Sequence, residues 1–208
     1  DKIFINSKRT LKSYFPETMY TIFSDNIVFI ISSQQKDSQK QTKNLIEKFS
    51  ISFKEKIKKE LNFTLTIGVG NFVDNLINVH HSYKQARRAI DLSRKIYGDD
   101  NLTFYENLLS YRLLDPISEI DYSKIFHDKF LIDILEYDRK NDTEFKKTLQ
   151  TLVATGWNLK ETSRQLYIHY NTVKYRYKKI KKILQVDIDK AEVRMNIAIA
   201  LKLNKLIG

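Results

Sequence analysis

Two amphipathic segments near the C-terminus, with only three residues between them, leave few folds open to this chain. The first follows Asn158, which has Glu161 three residues further on as in a capping box, and it is long enough for about two helical turns. After the break at Tyr167-Ile168-His169, Asn171 is predicted to cap a second helix. That helix has apolar residues in helical spacing at Val173, Tyr177, Ile180 and Leu184. The pattern predicts a helix-turn-helix.

The charge of the chain is concentrated in the same region. The formal net charge is +11, and fourteen basic against five acidic residues from Glu144 onward account for +9 of it. A clustered positive field attracts polyanions such as DNA, RNA or an anionic membrane, and a solvated lysine-rich face is the alternative. The region lacks the aromatic sheet platform that single-stranded RNA readers use, so double-stranded DNA is the favoured partner.

Helical periodicity also predicts which side chains face the DNA. Residues off the apolar stripe near the start of the second helix point away from the core, and they are Tyr170, Asn171, Thr172, Lys174, Tyr175 and Lys178. Lys174 offers donors to guanine or phosphate, and the tyrosines can pack on a thymine methyl group or a sugar.

Two further residues complete the predicted DNA-binding set. His169 is predicted to be a turn or cap residue that can also contact phosphate, and it has no partner for a catalytic role. Arg176 lies at the edge of the buried stripe and is expected to bind phosphate or to form an ion pair within the module. The nonspecific attraction of phosphate is assigned to Lys179, Lys181 and Lys182.

The N-terminal two-thirds alternates strands with helices. The predicted elements are a hairpin of Met19–Ser24 and Ile27–Ser32, a helix over Lys36–Leu61, a strand at Phe63–Val69, a helix over Val79–Tyr97 and a strand at Leu102–Tyr105. This order predicts an α+β fold with helices on a mainly antiparallel sheet, followed by an all-α helix-turn-helix domain. Gly68 and Gly70 do not match a dinucleotide fingerprint and are expected to crowd a neighbouring backbone.

A connector and a last helix flank the helix-turn-helix. Residues 109–142 contain a turn at Asp115-Pro116 and a predicted linker helix. Asp142 or Thr143 is expected to cap the next helix. Asp189 with Glu192 is expected to cap the final helix. The final helix is apolar on two faces, so it requires the second helix of the helix-turn-helix on one face and a dimer mate or the linker helix on the other.

Two stretches resemble the PucR/CdaR-type bacterial regulators. Residues 1–108 resemble their degenerate GGDEF-like domain, in element order and in Thr66-Ile67-Gly68-Val69-Gly70, Ser82-Tyr83-Lys84-Gln85-Ala86-Arg87-Arg88-Ala89 and Glu106-Asn107-Leu108. The His-x-Asn-Thr-x-x-Tyr-Arg core over His169–Arg176, followed by Asp187-Ile188 and Ala198-x-Ala200-Leu201, is similar to their C-terminal helix-turn-helix. The resemblance implies an N-terminally truncated GGDEF-like domain at 1–108, a linker at 109–142 and a DNA-binding domain at 143–208.

The resemblance implies a sequence-specific, DNA-binding transcriptional regulator in the cytoplasm. Its expected partners are double-stranded DNA, a second copy in a homodimer, and a small-molecule effector bound by an upstream domain. No membrane partner is predicted, because no apolar run approaches the length of about 18–20 residues that spans a bilayer. The alternatives are a nucleotide- or metabolite-sensing module with a nonspecific basic tail, and a residual diguanylate cyclase.

Catalysis is not predicted. True GGDEF cyclases need paired glycines and acidic residues on the hairpin, whereas Phe23-Ser24-Asp25-Asn26-Ile27 offers one carboxylate, Asp25, which is interpreted as a turn residue. The chain has no cysteine, and His80-His81 have no third ligand at a suitable spacing. Neither a metal site nor a cofactor is therefore predicted.

Overall fold

The computed structural model describes residues 10–23, 26–32 and 38–207. The chain divides into two compact units, Asp1–Leu109 and Ser110–Gly208. Asp25, Lys36 and the sequence before Thr10 lie outside the described residues. No helix among the described residues is long and apolar enough to cross a membrane.

The first unit contains the predicted hairpin and helices. Residues 10–14 are helical, and β1 (Met19–Phe23) pairs antiparallel with β2 (Asn26–Ile30) in a register that joins Met19 to Ile30 and Phe23 to Asn26. Further along lie α1 (Gln39–Leu61), β3 (Ile67–Val69), α2 (Val79–Tyr97) and β4 (Leu102–Phe104). The α+β class predicted for this part of the chain is confirmed.

The strand pairing differs from the predicted mainly antiparallel sheet. Among the described residues the strands form two separate pairs, and β3 runs parallel to β4, with Gly68 opposite Thr103. The reason is the connection, because a strand that reaches its neighbour through a crossover helix arrives in the same direction. Here α2 is that helix.

The core of the first unit is built on one face of α1. Ile46, Phe49, Phe53 and Ile57 are buried at mostly four-residue spacing, so they lie on one side of the helix. Phe49 stacks on Phe53 with ring centroids 5.3 Å apart. Ser38 caps the helix, since its side chain accepts from the backbone N–H of Gln41 and the Gln41 side chain accepts in return.

Gly68 and Gly70 allow the close approach of β3 to α2 that the sequence predicts. A Cβ atom at Gly68 would overlap the carbonyl oxygen of Ala86 and lie 2.8 Å from Cγ1 of Ile90. A Cβ atom at Gly70 would overlap the carbonyl oxygen of Ser82. Only glycine fits at either position without a shift of the helix backbone.

The second unit is built from helices. Its α-helices are α3 (Leu109–Leu114), whose first residue ends the first unit, α4 (Asp121–Asn141), α5 (Phe145–Ala154), α6 (Leu159–Leu166), α7 (Tyr170–Leu184) and α8 (Ala191–Ile207). The predicted helix-turn-helix corresponds to α6, the turn at residues 167–169 and α7.

The helix predicted as a linker, α4, contributes to the main core of the second unit. Its buried residues Phe130, Leu131 and Ile134 belong to one hydrophobic cluster with residues of α5, α7 and α8. Tyr137 stacks on Phe145 with ring centroids 5.2 Å apart. Of the two partners expected for the second face of α8, the linker helix is found, and Nε2 of His127 lies 3.1 Å from Oδ1 of Asn204.

The cap predicted for the start of α5 is corrected by the structure. The cap is Asp138, whose carboxylate accepts from the backbone N–H groups of Phe145 and Lys146 at 2.7 and 2.8 Å and from Oγ1 of Thr143 at 2.6 Å. Asp142, predicted for that role, ends α4 in a left-handed conformation. A carboxylate from the preceding helix therefore replaces the local cap.

Candidate nucleic-acid interface

The packing of α6 against its neighbours sets the geometry of the interface. Oδ1 of Asn158 accepts from the backbone N–H groups of Lys160 and Glu161, as predicted for the start of this helix. Thr162 is fully buried, and its hydroxyl lies 2.7 Å from that of Thr155 on the turn that follows α5. These small side chains let α6 lie close to α5.

The start of α7 is capped by His169 rather than by Asn171. Nδ1 of His169 accepts from the backbone N–H of Asn171 at 3.2 Å. Because Nδ1 is an acceptor, the neutral ring carries its proton on Nε2, which can donate outward to a phosphate oxygen. Because His169 caps the helix, the side chain of Asn171 is exposed in the first turn, where it can bond to a base or a phosphate.

The predicted major-groove residues lie on the solvent side of α7. Tyr170 and Tyr175 are 42% and 61% exposed, and Asn171, Thr172, Lys174 and Lys178 are exposed too. The opposite face is occupied by Val173, Ile180 and Leu184, which are buried. The sequence pattern thus separates the face available to DNA from the face that packs in the core.

The basic residues of α7 fall into two groups. Lys174, Lys178 and Lys182 are exposed, are spaced four residues apart and have no ion-pair partner among the described residues. Lys179 lies over the ring of Tyr137, with Nζ 5.4 Å from the ring centroid. Lys174, Lys178 and Lys182 therefore form an exposed, positively charged stripe along the helix, whereas Lys179 packs against an aromatic ring.

Lys181, which is predicted to attract phosphate, forms ion pairs within the module. Its Nζ lies 2.9 Å from Asp187 and 2.6 Å from Asp189, so two carboxylates neutralise it within the module. Hydrogen bonds from Lys181 hold the pKa of both carboxyl groups below the usual range. Asp189 also accepts from the hydroxyl of Tyr177 at 2.5 Å, so this predicted cap of α8 instead anchors α7.

Arg176 forms the intramodule contacts that were one of its two predicted roles. Its side chain is 18% exposed, and Nη1 donates to Oγ1 of Thr148 at 2.9 Å. The same nitrogen lies 3.8 Å from Oε2 of Glu144. These contacts connect the middle of α7 to the first turn of α5.

Tyr167 is an exposed aromatic residue in the turn and is not one of the DNA-binding residues predicted from the sequence. It ends α6 with φ 55° and ψ 38°, a left-handed conformation, and its side chain is 93% exposed. A side chain in this conformation costs about 1 kcal/mol relative to glycine. Helical spacing predicts which face of a helix a residue lies on. Tyr167 lies in the turn between α6 and α7, so helical spacing does not predict where its side chain points.

We expect Tyr167→Gly to raise the free energy of unfolding of the second unit by about 1 kcal/mol, because glycine adopts positive φ without strain. Urea unfolding followed by the fluorescence of Trp157, the single tryptophan, measures this unit. Tyr167→Ala is the control, since it removes the same aromatic ring and retains the strain. Equal stability of Tyr167→Gly and Tyr167→Ala would contradict the strain proposed for the left-handed conformation at residue 167.

Comparison with family models matches both predicted regions of the chain. The model described as the PucR C-terminal helix-turn-helix domain matches residues 145–203. The model described as the GGDEF-like domain matches residues 3–92. The family resemblance predicted from the sequence motifs is confirmed.

Three curated relatives from Bacillus subtilis (strain 168) are similar over most of the chain. The proline-responsive transcriptional activator PutR is 26% identical over 89% of this chain and 45% of its own length. The DNA-binding transcriptional activator AdeR is 23% identical over 93% and 47%, and the purine catabolism regulatory protein is 24% identical over 94% and 36%. The chain spans about half the length of these relatives, or less.

Each family model matches residues within one of the two units of the structure, and the two matches follow the same order as the units. A GGDEF-like match in the first unit is followed by a helix-turn-helix match that includes α5, α6, α7 and most of α8. The chain therefore combines a GGDEF-like match with a PucR-type helix-turn-helix match, and it resembles the PucR/CdaR-type transcriptional regulators.

Proposed function

We propose that this chain is the DNA-binding part of a transcriptional regulator and inserts α7 into the major groove of a specific double-stranded DNA site. The observation that carries the proposal is the exposed stripe of Lys174, Lys178 and Lys182 on a helix that follows a three-residue turn. In a helix-turn-helix this second helix enters the groove, and its first residues contact base edges. The names of the relatives, as transcriptional activators and regulators, support the same function.

The proposed contacts divide into base recognition and phosphate binding. Asn171, Thr172 and Lys174 contact bases from the first turns of α7, and Tyr170 and Tyr175 pack on thymine methyl groups or sugars. Phosphates are bound by the ring of His169 and by Lys178 and Lys182. This division makes Lys174 and Tyr175 determinants of sequence, and Lys182 a source of affinity for any duplex.

The remaining parts of the protein are given roles in the same proposal. The GGDEF-like domain at 1–108 relays a signal rather than catalysing a reaction, since the family match is to the GGDEF-like type and the curated relatives are regulators. The region 143–208 binds DNA as one half of a homodimer, because helix-turn-helix proteins pair on two half-sites. A small-molecule effector acts through an upstream domain, and the regulator works in the cytoplasm, where it meets DNA.

The test is binding of this chain to a duplex selected from genomic fragments and to random duplexes over a salt series. We expect the selected duplex to be preferred by about a thousandfold. Lys174→Ala and Tyr175→Ala are each expected to reduce that preference about tenfold, because each removes a contact to the bases.

Lys182→Ala is the matched control for these variants, since it removes another exposed lysine of the same helix. It should weaken binding to all duplexes alike and make the negative slope of log K against log salt less steep by about 0.9, the contribution of one phosphate contact. Equal and steeply salt-dependent binding of the unmodified chain to every duplex would overturn sequence-specific recognition and favour the nonspecific basic tail.

A further inference from the structure

We propose that Arg176 is a positioning residue, which sets the rotation of α7 about its own axis and thereby acts on DNA sequence discrimination without touching DNA. The inference rests on the proposed function of α7 as the recognition helix. It assigns to Arg176 a role that differs from the phosphate contact expected of a basic residue in this helix.

The contacts of Arg176 are those of a structural tie. Its Nη1 donates to Oγ1 of Thr148 at 2.9 Å, and the hydroxyl of Thr148 in turn donates to the carbonyl oxygen of Glu144 at 2.9 Å. Thr148 is fully buried, so water does not compete for the hydroxyl oxygen that accepts from the guanidinium group. The hydroxyl is thus both donor and acceptor between α7 and the backbone of the first turn of α5.

The carboxylate beside this tie is available as a charged partner. A hydrogen bond from Lys147, followed by the charges of Lys147 and Arg176, holds the pKa of Glu144 below its usual range. Nη1 of Arg176 lies 3.8 Å from Oε2 of Glu144. The guanidinium group therefore has an acceptor and a negative charge inside the protein, and with 18% of its side chain exposed it offers little surface to a phosphate.

Arg176 adds a directional contact between α7 and α5. The hydrogen bond from Tyr177 and the ion pairs of Lys181 connect α7 instead to the segment that precedes α8. The buried face of α7, with Val173 and Ile180, contributes apolar contacts that are non-directional. The hydrogen bond from Arg176 has a strict angular preference. Thr172 lies one helical turn before Arg176 and Tyr175 lies next to it, so rotation about the axis would displace both from the bases.

Three variants test the proposal in the DNA-binding assay described above. Arg176→Ala removes the donor, Thr148→Val removes the acceptor at a buried site that cannot reach DNA, and the double variant removes both. We expect each single variant to reduce the preference for the selected duplex about tenfold, with the salt slope unchanged. The double variant should lose no more than Arg176→Ala alone, since both residues act through one bond.

The controls separate this inference from the proposed function. Lys182→Ala supplies the change in salt slope expected for a lost phosphate contact, and the unfolding of each variant, followed by Trp157 fluorescence, confirms that it is folded. If Arg176→Ala does not fold, Thr148→Val carries the test, because it keeps the charge of Arg176 and removes only the two hydrogen bonds of the Thr148 hydroxyl.

Three results would contradict the positioning role. A salt slope that falls with Arg176→Ala as it does with Lys182→Ala would assign Arg176 to phosphate. Unchanged discrimination by Thr148→Val would remove the positioning role while leaving the proposed function intact. Absence of discrimination by the unmodified chain would overturn the proposed function and this inference with it.

Discussion

Gly68→Ala is expected to lower the free energy of unfolding of the first unit by about 3 kcal/mol, near the upper end for overpacking. The added methyl group would overlap the carbonyl oxygen of Ala86 and press on Ile90, and a carbonyl in the middle of a helix cannot rotate away. Relief requires that α2 move off β3, which breaks the packing across the parallel strand pair. Gly70→Ala should have a similar effect through the carbonyl oxygen of Ser82.

The two units of the chain allow this effect to be located. Circular dichroism follows the helices of both units during urea unfolding, whereas the fluorescence of Trp157 follows the second unit alone. We expect Gly68→Ala to shift part of the circular dichroism transition to lower urea and to leave the Trp157 fluorescence transition unchanged. The exposed neighbour Asn71 provides the control, since Asn71→Ala should change stability by less than about 0.5 kcal/mol. If Gly68→Ala and Asn71→Ala unfolded at the same urea concentration, the close approach of β3 to α2 at Gly68 would be contradicted.

Asp138→Ala is expected to destabilise the second unit by about 2 kcal/mol, because it removes three hydrogen bonds at once. Two of them satisfy backbone N–H groups at the start of α5, which have no partner within that helix. Asp138→Asn should lose about half as much, since its Oδ1 can still accept from Thr143 and Phe145 while its NH₂ group faces the N–H of Lys146.

Trp157 fluorescence during urea unfolding measures the effect on this unit. Asp133→Ala is the matched control, because Asp133 is an exposed carboxylate of the same helix and should contribute less than about 0.5 kcal/mol. Equal stability of the Asp138→Ala and Asp133→Ala variants would show that α5 begins without help from α4.

Local sequence patterns predict much of this fold, and they do so where the determinants are neighbours in the chain. The helix Val79–Tyr97 begins and ends as predicted because its apolar face is continuous and Gly98 follows it. The turn at 167–169 is predicted because the helical spacing fails there for three residues. The close approach at Gly68 and Gly70 is predicted because two glycines at a strand end leave no side chain to hold a neighbouring backbone away.

The remaining features depend on partners that are distant in sequence or chemically unusual. Asp138 caps a helix that starts seven residues later, beyond the range of a local capping motif. His169 replaces Asn171 as the cap because an imidazole nitrogen can accept the same hydrogen bond that an amide oxygen usually accepts. The sequence pattern left two roles open for Arg176 and predicted phosphate attraction for Lys181, because only folding brings carboxylates close to these two side chains.

The contribution of α4 to the core limits how the proposed DNA-binding surface can be transferred to another protein. The residues proposed to contact DNA lie within 169–182, and the matched helix-turn-helix domain begins at residue 145. A chimaera joined at that point would leave behind Phe130, Leu131 and Ile134 and the carboxylate of Asp138. A portable segment therefore needs α4, which begins at Asp121, well upstream of the surface that the segment would deliver. The compact unit that contains all of these residues begins at Ser110.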